Sequence, residues 1–247
     1  MNIEYPPKRP VRFFNTTGPC NPWDHYMLPP ADRLIGAQLD RYIGDKLYWV
    51  LHAPRQTGKT TFLQYWAREI NSGNEAVACY VSIERCQRLS EPERCMPDLC
   101  KVIQEYAGFS NLPVPEFSMD TPYSMLSEVL NHFSSLIAPK PLVMLFDDVN
   151  ALEGDAMISF LSQLRSGFMI RSIGKFPVSI ALAGIRDVNT PTFKDGVLSS
   201  SLIPFNIKAD SVLLDNFTLD EVKRLFAQRT EETGQTINED ALEYVFE

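Results

Sequence analysis

The sequence predicts an α/β fold in which a parallel sheet lies between layers of helices. Three observations predict it. Short apolar runs of strand length alternate with segments of helical period along most of the chain. A turn ending in Gly58-Lys59-Thr60 joins the first such run to the first long helix. A later apolar run ends in two aspartates, Asp147 and Asp148.

The elements follow in order. Residues 1–12 read as a loose polar arm. Residues 13–30 are rich in turn formers, yet they carry Phe13, Phe14, Trp23 and Tyr26, which a solvated linker has no use for. They read as an ordered loop. Residues 31–43 read as a helix with Ile35, Leu39 and Tyr42 on one face. Lys46–His52 is the first strand, and residues 59–71 form a helix aligning Phe62, Trp66 and Ile70. Ala76–Ile83 is the second strand. The region 84–120 is irregular, with a helix over 97–107. A helix over 122–137 aligns Met125, Val129, Phe133 and Leu136, and Leu142–Phe146 is the third strand. Residues 155–171 are helical, Val178–Ala183 is the fourth strand, and 185–204 is a polar, serine-rich loop. A fifth strand falls near Ser211–Leu214. Thr218 and Glu221 have the spacing of a capping box that opens a helix, and a second helix starts near Asn238. The chain stops at Glu247 straight after Tyr244-Val245-Phe246, with no helix-ending signal. It reads as a piece ending inside a helical appendage. The expected division is an arm and aromatic loop (1–30), a core (31–216) and a helical lid (217–247).

Bulk properties narrow the function classes. The 247 residues are 45% hydrophobic and 22% charged, a globular mixture able to bury a full core. The formal net charge of −8 speaks against a domain that coats nucleic acid, and nucleic acid is not an expected partner. Cys86, Cys95 and Cys100 lack the paired spacing of a zinc site, and the three histidines are scattered. Free thiols in a reducing cytoplasm are the expectation. There is no secretory leader and no apolar run of spanning length, so no membrane is expected.

The chemistry concentrates in three places. The first is Ala53-Pro54-Arg55-Gln56-Thr57-Gly58-Lys59-Thr60, followed by Thr61. A loop between a strand and a helix can turn its backbone N–H groups around a phosphate, aided by the positive end of the helix. This is a P-loop. Gly58 permits the close approach, Lys59 reaches the β- and γ-phosphates, and Thr60 offers its hydroxyl to Mg²⁺. The usual first glycine is replaced here by Ala53, which is also small.

The second place is the acidic strand end. Asp147 holds Mg²⁺, directly or through water, and Asp148 can orient an attacking water. Glutamate is commoner at the second position, and aspartate is one methylene shorter, which fits slow hydrolysis. The third is Gly184-Ile185-Arg186-Asp187 at the end of the fourth strand. Ligands of open parallel sheets sit at such ends, so Arg186 either stabilises a γ-phosphate or pairs with an acid. Arg55 contacts nucleotide or a partner, or locks the loop. Arg165 is either an arginine finger for a neighbouring copy or a solvated helix-face cation. His25 and Tyr26 either pack on adenine or plug the sheet edge.

These residues resemble a known group. His52–Thr61 looks like the phosphate loop of prokaryotic AAA-like ATPases, grouped with the signal-transducing STAND and archaeal-type ATPases. Phe14–Cys20, His25–Pro30, Leu145–Asp148, Leu164–Gly167, Gly184–Asp187 and Pro204–Ile207 carry the same resemblance. It implies a three-layer P-loop NTPase with strand order 5-1-4-3-2 and a small helical lid. It implies ATP and Mg²⁺ as cofactors, with Lys59 and Thr60 on the phosphates and metal and Asp147 as the first acid. Asp148 is the departure from glutamate. Members often continue into further domains.

The expected function is a slowly hydrolysing ATP switch. Its partners are ATP and ADP, together with a protein partner or a C-terminal effector region, and it is open to homo-oligomer formation. A ring-forming DNA-handling motor is the rival. A small-molecule kinase comes behind, because residues 185–204 carry one arginine and one lysine.

Overall fold

The computed structural model describes residues 12–34, 39–118, 121–171, 175–184 and 208–246. Its elements are α1 (Leu39–Gly44), β1 (Tyr48–His52), α2 (Lys59–Ser72), β2 (Val77–Ser82), α3 (Pro92–Phe109), α4 (Met125–Leu136), β3 (Leu142–Asp147), α5 (Gly154–Ile170), β4 (Ser179–Gly184), β5 (Lys208–Leu213), α6 (Leu219–Thr233) and α7 (Glu239–Phe246).

The five strands form one sheet in the order β2-β3-β4-β1-β5, with every pairing parallel. This is the expected order. Helices cover both faces, so the central strands are apolar on both sides. Successive side chains alternate between two cores. Tyr48, Val50, Met144, Phe146, Ile180 and Leu182 face α3, α4 and α5. Trp49, Leu51, Val143, Leu145, Ala181 and Ala183 face α1 and α2. On this second face the small Ala181 and Ala183 leave room for Trp49 and Trp66, whose rings meet edge to face at 5.5 Å.

Two expected elements differ. The helix over 31–43 is instead a 3-10 turn at Pro30–Leu34 and the short α1, with 35–38 outside the described residues. The helix expected from Pro97 starts earlier. Pro92 takes the first helical position, where a missing N–H is harmless, and Pro97 lies inside. That proline removes one helical hydrogen bond. Its neighbours Cys95 and Met96 are fully buried.

The first and last described stretches meet. The loop ahead of α1 is folded on itself: the Asn21 side chain accepts the N–H groups of Trp23 and Asp24 at 3.0 and 2.9 Å. It then packs on α6. Phe14 and Phe226 rings are 4.7 Å apart, and Gln228 donates to the Met27 carbonyl at 2.9 Å. Arg12 pairs with Glu232 at 2.9 Å and Arg224 with Asp32 at 2.6 Å. Helix α6 begins with the expected capping box: Thr218 Oγ1 accepts from the Glu221 N–H at 3.2 Å, and Glu221 accepts from the Thr218 N–H at 2.8 Å. No residue of α6 is buried.

Among the described residues no helix is long and apolar enough to cross a membrane. Cys79, Cys86, Cys95 and Cys100 are free and buried, and Cys20 is half-buried. Burial pushes the Cys79 thiol up to about 12, which keeps it protonated and inert. No cluster of histidine, cysteine and acidic side chains fit for a metal occurs among the described residues.

Candidate phosphate-binding site

The site forms at the carboxyl ends of β1, β3 and β4. The Ala53 N–H donates to the Gly184 carbonyl at 3.2 Å, so the chain leaves β1 still fastened to the end of β4. The loop then turns tightly. Gln56 and Gly58 both have left-handed backbones, with φ of 63° and 96°. For glycine that conformation is free of steric penalty. Buried Thr57 closes the loop by donating from its hydroxyl to the Pro54 carbonyl at 3.0 Å.

Lys59 opens α2, and its Nζ curls back onto the carbonyls of Ala53 (3.3 Å) and Pro54 (2.9 Å). Burial lowers its pKa; the charges of Asp147 and Asp148 oppose that shift, and Arg55 adds to it. Among the described residues, the backbone N–H groups of Arg55 to Lys59 have no acceptor. A ring of unused donors at a helix start, with an ammonium folded over it, is an anion cradle.

Asp147 ends β3 and is fully buried. Its Oδ2 accepts from the Thr60 hydroxyl at 2.6 Å and from the Tyr80 hydroxyl at 3.1 Å. Its Oδ1 accepts from the Asp148 N–H at 2.9 Å. Burial raises its pKa and the neighbouring Asp148 charge adds to this, while the three hydrogen bonds pull the other way. Asp148 is half-buried and sits in a left-handed conformation, φ 59°. Its Oδ2 accepts from the Ser82 hydroxyl at 3.0 Å.

The structure thus brings together Ala53, Pro54, Thr57, Gly58, Lys59, Thr60, Asp147 and Asp148. Arg55 and Gln56 are exposed on the outer side of the turn, and Gln56 donates to the Thr16 carbonyl at 3.3 Å. The Thr61 hydroxyl accepts from the Cys20 N–H at 2.9 Å, so it holds the N-terminal loop. His25 and Tyr26 lie in that loop and are committed to its packing. His25 Nδ1 accepts from the Asn21 N–H at 3.0 Å, and its ring meets Phe13 edge-on at 4.8 Å. Tyr26 touches Phe14 at 5.0 Å and the Arg12 guanidinium at 4.9 Å. With 9% and 3% exposure, the two rings leave little surface for a ligand. Arg186 lies outside the described residues, and Arg165 is on the exposed side of α5.

Sequence reasoning misses three residues here. Tyr80 and Ser82 reach the acids because β2 runs beside β3 with Ser82 opposite Asp147. A serine closing an apolar strand is a faint signal for this; Tyr80 has none. The third is Arg33, which donates to the Thr57 carbonyl from outside the loop.

The strand order, the loop after β1 and the acid ending β3 define a three-layer α/β P-loop NTPase fold. Solved structures share it. The Walker-type ATPase PABY2304 of Pyrococcus abyssi aligns with a TM-score of 0.60 at 15% identity, over 94% of this chain and 65% of that one. Cdc6p from Pyrobaculum aerophilum aligns with a TM-score of 0.51 at 18% identity, over 81% of this chain and 49% of that one. This chain therefore spans less than two thirds of either. No protein-family model and no curated protein matches the sequence. The likeness is one of fold.

Proposed function

We propose that this chain binds ATP with Mg²⁺ and hydrolyses it slowly, as a nucleotide switch of the AAA/STAND-like kind. The observation that carries the reading is the 2.6 Å bond between Thr60 and Asp147, made directly below a cradle of free N–H groups. A hydroxyl and a carboxylate oxygen side by side are hard donors suited to Mg²⁺. Thr60 and Asp147 would hold the ion, which when bound neutralises charge on the phosphate oxygens.

The chain's own residues do the rest. The N–H groups of Arg55 to Lys59 bind phosphate oxygens. Lys59 leaves the Ala53 and Pro54 carbonyls to reach the β- and γ-phosphates. Asp148 orients the attacking water, held by the Ser82 hydroxyl. Its shorter reach and its anchored oxygen support slow turnover. Arg186 is assigned to the γ-phosphate from its place in the sequence. The core is residues 31–216 and the lid is 217–247. The lid helix α6 has no buried residue, which supports a docking that nucleotide can change. A protein partner or an effector region would read that change.

Thermal unfolding with and without ATP–Mg²⁺ tests the reading. A ligand at a hundred times its Kd stabilises by about 2.7 kcal/mol. No shift at millimolar ATP, with Lys59→Ala indistinguishable from the parent, sinks it.

A further inference from the structure

Among the described residues, Arg33 bridges the phosphate loop and the lid. It lies in the 3-10 turn Pro30–Leu34, and its side chain is only 8% exposed. All three guanidinium nitrogens are used. Nη1 donates to the Thr57 carbonyl, Nη2 to the Asp215 carbonyl at 2.6 Å, and Nε to Glu221 Oε1 at 3.2 Å. The guanidinium also covers the Phe217 ring at 3.8 Å. These four partners belong to two different parts of the molecule. Thr57 is in the phosphate loop, whereas Asp215, Phe217 and Glu221 are the exit from β5 and the first turn of α6.

The Thr57 contact has a geometric consequence. The Thr57 carbonyl and the Gly58 N–H share one planar trans peptide, so they point in opposite directions. Holding the oxygen toward Arg33 aims the Gly58 N–H away from Arg33. That N–H has no acceptor among the described residues and belongs to the left-handed glycine before Lys59. The lid contact is equally specific. Glu221 divides its carboxylate: Oε2 accepts from the Thr218 N–H in the capping box, and Oε1 accepts from Arg33. The same carboxylate starts the lid helix and fixes the arginine.

We infer that Arg33 is a positioning residue that couples lid docking to the aim of the Gly58 N–H, and so to phosphate affinity. The inference rests on the phosphate reading of the loop. When α6 is docked, Glu221 holds the guanidinium, and the guanidinium holds the Thr57–Gly58 peptide in its anion-facing orientation. When α6 moves away, the peptide loses its anchor. Coupling of this kind is reciprocal, so a phosphate that fixes the peptide also favours the docked lid.

Glu221→Gln is the discriminating variant. Glutamine still serves at this position of a capping box, so α6 keeps its start, but the charge facing Arg33 is gone. Arg33→Lys keeps the charge and loses the fork. The Gly58 amide chemical shift and hydrogen exchange across α6 are read on the nucleotide-free chain. The expected result for Glu221→Gln is a shifted Gly58 resonance together with α6 exchange faster by about fivefold, the low end of ordinary coupling between sites. Titration of the folded variants with ATP–Mg²⁺ is expected to show about fivefold weaker binding for both, and loss in Arg33→Lys of ATP-induced protection of α6. Faster exchange in α6 with the Gly58 resonance and ATP affinity unchanged overturns the inference. The two readings separate cleanly. A parent chain that binds no ATP, yet passes the lid change to Gly58, refutes the nucleotide function and keeps the coupling. ATP binding with Gly58 deaf to the lid does the reverse.

Discussion

The acidic end of β3 and the seam between the N-terminal loop and α6 are both polar, but they are built in opposite ways. At β3 each group sits on a buried scaffold. Asp147 is fully buried, its three hydrogen bonds come from β2, α2 and the backbone N–H of Asp148, and all of β3 is buried. At the seam no residue of α6 is buried, and the contacts are partly exposed ion pairs, the Gln228–Met27 hydrogen bond, one tilted ring pair and Arg33. On the function proposed above, the difference separates a part that must hold still from a part that can be released. Phosphate chemistry needs donors and acids preset to within fractions of an ångström. A lid that answers to ligand must instead be held by contacts worth little individually.

The largest expected effect tests the rigid side. Phe146 is fully buried on β3, with its ring edge-on to Phe160 at 5.4 Å. Phe146→Ala is expected to destabilise by about 3–5 kcal/mol, read by urea unfolding. Phe226→Ala, on half-buried α6, should lose the ring pair with Phe14 and a part of its buried area, about 1–2 kcal/mol together. Equal losses at the two sites would break the comparison.

Second comes Lys59→Ala. The parent should gain about 2.7 kcal/mol of stability at a hundred times Kd of ATP–Mg²⁺, and the variant should gain nothing at the same concentration. A calorimetric scan of each, with and without ligand, decides it. An unaltered gain in the variant would mean that ligand binds elsewhere.

Third is Asp147→Asn, where function and stability should move apart. Burial and the Asp148 charge both disfavour the ionised carboxylate. An asparagine can accept from the Asp148 N–H through its oxygen, but its NH2 can only donate toward the Thr60 and Tyr80 oxygens, so the two hydroxyl hydrogens lose their acceptor. Relief of the buried charge and loss of two hydroxyl acceptors oppose each other, so stability at neutral pH without ligand should change by no more than about 1 kcal/mol. Binding of ATP should lose its dependence on Mg²⁺. Equilibrium unfolding and a Mg²⁺ titration at fixed ATP measure the two effects. A large fall in stability would show that the carboxylate is structural.

The same contrast explains what can be read from the sequence. The β strands are legible because both faces are covered: Leu142–Phe146 is an unbroken apolar run bounded by a proline and two aspartates. The loop from Ala53 to Thr60 is legible because its residues are consecutive and its chemistry is local. The strand order follows from a resemblance, since period and spacing do not reveal which strands become neighbours. The seam is illegible for a physical reason. Arg33 meets Glu221 across 188 residues and Arg12 meets Glu232 across 220. Each residue alone looks like an ordinary surface charge. Tyr80 is hidden in the opposite sense, as one more large residue in an apolar strand. The start of α3 at Pro92 is hidden because a segment with a second proline, Pro97, inside it reads as irregular.

The smallest expected effect belongs to the most exposed part of the seam. Arg224 and Asp32 meet at 2.6 Å with side chains 51% and 38% exposed. Pairs of this kind contribute about 0.2–1 kcal/mol and weaken as salt rises. Asp32→Asn should therefore leave the global unfolding midpoint almost unchanged. Its effect belongs in local exchange: α6 amides should exchange a few times faster at low salt, and the parent should approach the variant as salt is raised. Exchange in β3 should stay the same in both proteins at every salt concentration, because that strand opens only when the whole core does. If salt or Asp32→Asn speeds exchange in β3 as much as in α6, then lid and core open together. The seam would then be part of the rigid body, and a lid that moves independently of the phosphate site would be ruled out.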